Sequence, residues 1–436
     1  MGVLLSEEEI PSVLSITQEE DKMKLKKMLV VGAAVFAVAA QAQAAETLEF
    51  WTMNLAPKFE PFFKERVAKF NAANKDVEAK WVDMNWDQIQ PKLVAAIAAG
   101  SPPALVNFNV PWVHEFAAQG NILPVEQYMG AAKNDYLPAA LKDVTVKGQV
   151  YAFPFYNSVS IIAYNKDIFE KAGVKAAPKS FDELMTIGKQ IKDKTGVAAF
   201  APKLSNFTGM FYYAGLPMIE GGKAVFNGPK HVAFVQKFAD AYKSGVIPKD
   251  AFKIEFEQEI ALYNSGKIAM MTTAPQALKR TETDAKAIYG KTGVAAFPVG
   301  EGKMAFGAWL MDFVVPKGTK NPAAAAKLGL FLTNDESQVA FSKATETTFP
   351  STKKGNLDPY FQTGANSADP VDQARAVAAK SMDNARTLTI PPGVLPDEAA
   401  MTKKLQDEVQ NAIEGRKPVK AALDAAVAAW NEKLAK

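Results

Sequence analysis

The side chains that most often do covalent or metal chemistry are scarce. There are two histidines, His114 and His231, 117 residues apart, and no cysteine. A transition-metal site would have to lean on carboxylates, and no clustered carboxylate motif occurs. His114 reads as an exposed residue on a helix face. No P-loop, G-x-S-x-G or H-E-x-x-H is present. Tyr212-Tyr213 could suggest ferric iron. Neighbours in a helix point about 100° apart, so core packing is the reading adopted. A glycosidase needs only two carboxylates, and a secreted glycosidase stays open as an alternative, although nothing marks a pair. No metal, cofactor or catalytic residue is expected.

Large aromatics are placed differently. Trp51, Trp112, Tyr156 and Trp309 fall at predicted strand ends or in loops, beside Asn54, Asn107, Asn109, Asn157 and Asp312. A sugar has apolar C–H faces and a rim of hydroxyls. Flat rings match the faces, and Asn, Gln and Asp pair with neighbouring hydroxyls. Each aromatic taken singly is as readily a core residue.

These residues need elements to hold them. Thr47–Met53, Val77–Val82 and Ala104–Phe108 read as strands rich in β-branched and aromatic residues. Phe59, Phe62, Phe63, Val67 and Phe70 recur at helical spacing, and Trp86–Ala99 and Pro111–Gln119 are further helices. Strand alternating with helix predicts a parallel α/β sheet, with ligands beyond the carboxyl ends of the strands. That places Trp51–Asn54 and Asn107–Trp112 at the candidate site. Ser180, with Glu183 three residues on, opens a helix to Lys194. Helices are expected at 207–219, 229–244, 256–265, 275–287, 322–332 and 335–343. Strands are expected at 197–201, 267–272, 293–297 and 310–315. Residues 350–370 and 387–397 read as loops. The last 70 residues are nearly all helical, ending in a helix from Pro418 with Val419, Leu423, Val427, Trp430 and Leu434 on one face.

At 436 residues, the chain exceeds what one core serves well, so at least two lobes are expected. Lys24–Lys27 is basic, Met28–Ala40 is short and apolar, and Ala42-Gln43-Ala44 is a small-x-small site. Together they describe a secretory signal peptide cleaved near Ala44, too short to span a membrane. Residues 1–22 are acidic, and translation is expected to start at Met23. Beyond residue 44 there are 46 Lys and Arg against 41 Asp and Glu, a charge too mild for nucleic acid. With no cysteine to carry a lipid, the exported chain should diffuse freely in a periplasm.

The segments "TLEFWTMN", "WDQIQPKLVAAIAAGSPPALV", "GNILPV", "GQVYAFPFYNSVSIIAYNKDIFEKAG", "SFDELMTIGKQIK", "GKIAMMTTAPQAL" and "NPAAAAKLGLFL" occur in this order. So ordered, the chain resembles the family 1 extracellular solute-binding proteins of bacterial ABC importers, which include maltose-binding and glycerol-3-phosphate-binding proteins. The resemblance runs from about Leu48 to Leu434. Pro103-Ala104-Leu105 departs from the Pro-Asp-Val often found there.

The resemblance implies an α/β periplasmic binding protein fold: two lobes, a multi-crossing hinge and a ligand cleft between them. It assigns 45–154 plus 304–348 to an N-lobe and 157–302 plus 350–436 to a C-lobe, with crossings near 153–158, 300–306 and 346–352. Its binding loops correspond here to Trp51–Asn54, Asn107–Trp112, Tyr156-Asn157-Ser158, Leu204–Phe207 (with Ser205 and Asn206), Thr272–Gln276 (with Thr273 and Gln276) and Gly307-Ala308-Trp309. Arg386 in "NARTLTI" resembles an arginine of glycerophosphate binders. The implied partners are a small-molecule sugar and a membrane permease, the implied state a monomer. A phosphate ligand wants Arg or Lys, whereas these loops supply Trp, Asn, Ser and Thr. A neutral sugar is therefore the expected ligand, with glycerol 3-phosphate or a glycerophosphodiester as the alternative.

Overall fold

The computed structural model describes residues 45–202, 204, 207–299, 305, 307–387, 390 and 394–435. The upstream segment, the signal peptide and two expected site residues, Ser205 and Asn206, lie outside them.

In chain order the first strands are β1 (Glu46–Met53), β2 (Val77–Met84) and β3 (Leu105–Asn109). A short hairpin, β4 (Thr145–Val146) with β5 (Gln149–Val150), leads to β6 (Ala152–Asn157) and β7 (Ile161–Asn165). A second hairpin is β8 (Ile219–Glu220) with β9 (Lys223–Ala224). Then come β10 (Met270–Thr273), β11 (Thr292–Ala296), β12 (Met311–Val314) and β13 (Phe349–Pro350). One sheet has the order β13-β6-β12-β3-β1-β2, and a second has the order β10-β7-β11.

The expected parallel sheet is present in β2-β1-β3. Strands β12, β6 and β13 extend it antiparallel. Helices cover this sheet, so β3 is buried along its whole length. Its outer strand β2 exposes Glu78 and Lys80, charges that discourage a further strand from pairing there. Helix Glu60–Ala73 buries Phe62, Phe63 and Phe70. Phe63 stacks on Trp81 with ring centroids 4.7 Å apart.

Strand β7 shows how the cores connect. Successive side chains on a strand face opposite ways. Ile161 and Ala163 join the apolar cluster that also holds Phe153, Phe155 and Phe313 of the large sheet. Ile162 joins a second cluster with Met270, Phe181, Phe238 and the C-terminal helices. The last helix, Val419–Leu434, buries Val419, Leu423, Val427 and Trp430, and the Trp430 Nε1–H donates to the Met401 carbonyl at 2.7 Å.

Several local expectations are corrected. Residues 197–201 form only the bridge Ala198↔Ile268, because an Ala-rich stretch before Pro202 offers little to a strand. The helix expected over 207–219 is Phe207–Tyr213, stopped by Gly215 in the left-handed region and Pro217. The helix expected at 275–287 breaks at Ala285, whose φ is −146°. Short helices Lys353–Asn356 and Pro359–Gln362 interrupt the expected loop. His114 is buried rather than exposed. Its Nε2 lies 2.6 Å from the Asp143 carbonyl, and burial holds its pKa below the ordinary histidine value.

Asp312 on β12 is fully buried, and neither of its carboxyl oxygens has a hydrogen-bond partner among the described residues. Burial, with Asp143 nearby, pushes its carboxyl well above the ordinary aspartate range. The folded state then keeps a proton that the unfolded chain releases near pH 4. Stability therefore falls as pH rises above that value. Asp312→Asn should flatten this decline in unfolding free energies measured against pH. Parallel curves for the two proteins would contradict the assignment.

Candidate binding cleft

A cleft of about 800 Å³ opens between the sheets. Such a volume suits a small molecule of several rings. Pro111, Tyr156 and Phe341 belong to the large-sheet side, and Ile162, Met270 and Thr273 to the small-sheet side. The joining segments supply Ser158, Ser160, Gly307, Ala308 and Trp309.

These segments are tied by buried polar groups. The Asn157 Oδ1 accepts the Ser158 N–H at 2.8 Å and the Trp309 N–H at 3.1 Å. The Trp309 N–H also donates to the Ser158 carbonyl at 3.0 Å. Thus the passage after β6 and the passage before β12 are joined where Trp309 enters the cleft. A further passage runs alongside: Ala385 bridges Ala305, and the Leu310 N–H donates to Thr387 Oγ1 at 3.1 Å.

Asp143 anchors that passage. Its Oδ1 accepts from Arg386 Nε at 2.5 Å and its Oδ2 from the Thr387 N–H at 2.7 Å. The Asp143 side chain is 0% exposed and that of Arg386 16%. Burial pushes the Asp143 carboxyl up, while Arg386 and Thr387 draw it down. Arg386 is thereby committed to a buried carboxylate and does not line the cleft. Withdrawing it would leave a buried charge unpaired, at a cost of about 3–5 kcal/mol.

Six expected site residues meet in the cleft: Tyr156, Ser158, Thr273, Gln276, Gly307 and Trp309. Seven do not line it. Trp51 packs in the core of the large sheet, its Nε1–H donating to Glu49 at 2.7 Å. Asn107 is buried, with its Nδ2 on the Asp312 carbonyl at 2.9 Å. Asn109 caps helix Val110–Ala118 through the Trp112 N–H. Asn54 Oδ1 holds the Trp86 N–H at 2.7 Å. Trp112 packs on Trp86, Asn157 ties the joining segments, and Arg386 pairs with Asp143. Short amides at strand ends are consumed by the backbone around them, which spacing alone does not reveal.

Sequence reasoning missed several cleft residues. Glu255 and Glu259 lie one turn apart at the start of helix Phe256–Asn264, and both line the cleft. Glu259 Oε1 accepts the Thr272 N–H at 2.7 Å, and Glu255 caps its own helix. Their spacing of four puts both on one side of the helix start, but does not say that this side meets the cleft. Thr345, Thr347 and Thr348 add hydroxyls, and Tyr213 adds a phenol. Burial pushes the Tyr213 phenol up to about 12, against a backbone hydrogen bond from Gly307 that draws it down, so it stays protonated. Lys58 is the one cation lining the cleft among the described residues. Among the same residues no group of three or more His, Cys, Asp or Glu could hold a metal.

Residues 65–369 match the family described as bacterial extracellular solute-binding protein. The chain belongs to that family. It is 26% identical over 357 residues to a binding protein of Brucella abortus, covering 79% of this chain and 85% of the relative. The diacetylchitobiose-binding protein DasA of Streptomyces coelicolor is 27% identical over 195 residues, 44% of this chain and 45% of the relative. The fold resembles the cyclic α-maltosyl-1,6-maltose-binding protein of Arthrobacter globiformis, with a TM-score of 0.73 at 20% identity over 89% of this chain and 99% of that one. This solute-binding protein accordingly has two α/β lobes, a hinge of several crossings and a cleft between them.

Gly307 tests the hinge geometry. Its φ is +61°, and a Cβ there would lie 2.4 Å from Ser160 Oγ. Gly307→Ala should destabilise the protein by about 1 kcal/mol or more in chemical denaturation. An unchanged midpoint would contradict the close approach.

Proposed function

We propose that the protein captures a neutral sugar or oligosaccharide in the periplasm and delivers it to the permease of an ABC importer. The observation that carries this reading is the charge of the cleft. Among the described residues Glu255 and Glu259 outnumber Lys58, and Arg386 is held by Asp143. A phosphate dianion would meet two carboxylates and one exposed amine. A neutral polyol instead finds acceptors in Glu255 and Glu259, hydroxyls in Thr345, Thr347 and Thr348, and rings in Tyr156 and Trp309 for its C–H faces. Glycerol 3-phosphate is the alternative for the same fold, and its weakness is the scarcity of positive charge among the described residues of the cleft.

Both lobes can grip one ligand only when shut, so binding favours the closed form. A permease reading that form would receive only loaded protein. We further assign a monomer, an exported periplasmic state after cleavage near Ala44, and lobes divided as 45–154 plus 304–348 and 157–302 plus 350–436. Hydrolysis is not assigned. Glu255 and Glu259 share one helix and one wall, and each accepts a backbone N–H. A glycosidase needs carboxyls flanking the scissile bond.

Calorimetric titration against maltose, maltotriose, diacetylchitobiose, mannitol and sn-glycerol 3-phosphate tests the reading. A saccharide should bind, the phosphoester should not, and the saccharide should be recovered intact. Binding of the phosphoester alone, or hydrolysed product, would overturn it. Trp309→Ala should weaken saccharide binding roughly tenfold. Trp51→Ala should lower thermal stability and leave the affinity of the folded protein unchanged.

A further inference from the structure

Trp309 does not stand alone. Trp86 opens helix Trp86–Ala98 just past β2, and Trp112 lies in the first turn of helix Val110–Ala118. The ring centroids of Trp309 and Trp86 are 6.5 Å apart, and those of Trp86 and Trp112 are 4.8 Å apart. Trp309 lines the cleft and is 45% exposed. Trp86 and Trp112 are half-buried and lie outside the enclosed volume. Three indoles therefore run from the cleft outward along one side.

Their backbones are pinned. The Trp86 N–H is held by Asn54 Oδ1, and Asn54 itself adopts a φ of +54°, which non-glycine residues rarely occupy. The Trp112 N–H is held by Asn109 Oδ1 at 3.0 Å. Two strand ends thus each spend an amide on placing an indole at the rim. A contiguous, partly exposed aromatic surface joined to a binding cleft is the expected form of an extended ligand groove. Trp309 is 45% exposed, Trp86 and Trp112 are half-buried, and an uncharged indole face suits the C–H face of a sugar.

We propose that Trp86, backed by Trp112, is a second stacking station outside the cleft, so that the preferred ligand is a saccharide of at least two rings. One ring occupies the cleft against Trp309, and the next lies over Trp86. This assignment rests on the sugar-capture reading above and adds a chain length to it. Trp86 acts on specificity: a single ring never reaches it, and a dimer does.

The test compares glucose, maltose and maltotriose, and N-acetylglucosamine with its dimer and trimer, by calorimetry on wild type, Trp86→Ala and Trp86→Phe. In the series that binds, the wild type should hold the dimer about tenfold or more tighter than the monomer. Trp86→Ala should lose roughly three- to tenfold for dimer and trimer and nothing for the monomer. Trp86→Phe should recover most of that loss. Equal affinity for monomer and dimer in the wild type, or an equal loss across all lengths in Trp86→Ala, would overturn the proposal and leave sugar capture standing. Absence of binding by every saccharide would remove both. If Trp86→Ala does not fold, the wild-type length series and Trp112→Ala decide in the same way.

Discussion

The hydrogen bond from the Trp309 N–H to Asn157 Oδ1 joins two passages of chain that are 152 residues apart. One leaves the large sheet after β6, and the other returns to it before β12. Everything the cleft can do depends on these passages lying side by side, because they bring an exposed indole between two separately packed sheets. Asn157 is 1% exposed, so its amide has no solvent to fall back on. A buried amide without its partner costs about 1–3 kcal/mol. The joint is therefore specific.

Charge is arranged on the same principle. Arg386 is spent on Asp143 beneath the hinge, where it closes the passage through residues 385–387. The cleft keeps carboxylates, hydroxyls and aromatic rings. An arginine that reads in sequence as a phosphate ligand thus serves as a structural counter-ion. The distinction comes from Asp143, a residue 243 positions earlier in the chain. The chemistry left facing the ligand favours many weak hydrogen bonds and stacked rings over a strong ion pair.

Much of the fold was legible. Runs of β-branched and aromatic residues marked β1 and β3, helical spacing marked the helix after β1, and the capping at Ser180 is present, with the Glu183 N–H on Ser180 Oγ at 3.2 Å. The family motifs supplied the lobes and the cleft. What escaped was which face each strand-end residue takes. Trp51 sits two positions before the end of β1, and that places it in the core. Trp86 follows β2 as Trp112 follows β3, but it reads first as a helix start. Glu259 lies on a helix whose register against β10 no local pattern discloses. Local pattern fixes elements; long-range packing decides which side chains remain free for a ligand.

Small-angle X-ray scattering, with and without saturating saccharide identified by titration, tests the central claim most directly. Capture between two lobes predicts a smaller radius of gyration and a shorter maximum dimension in the loaded protein, with no such change on adding sn-glycerol 3-phosphate. Saccharide binding that leaves both dimensions unchanged, or compaction by the phosphoester alone, would contradict the account.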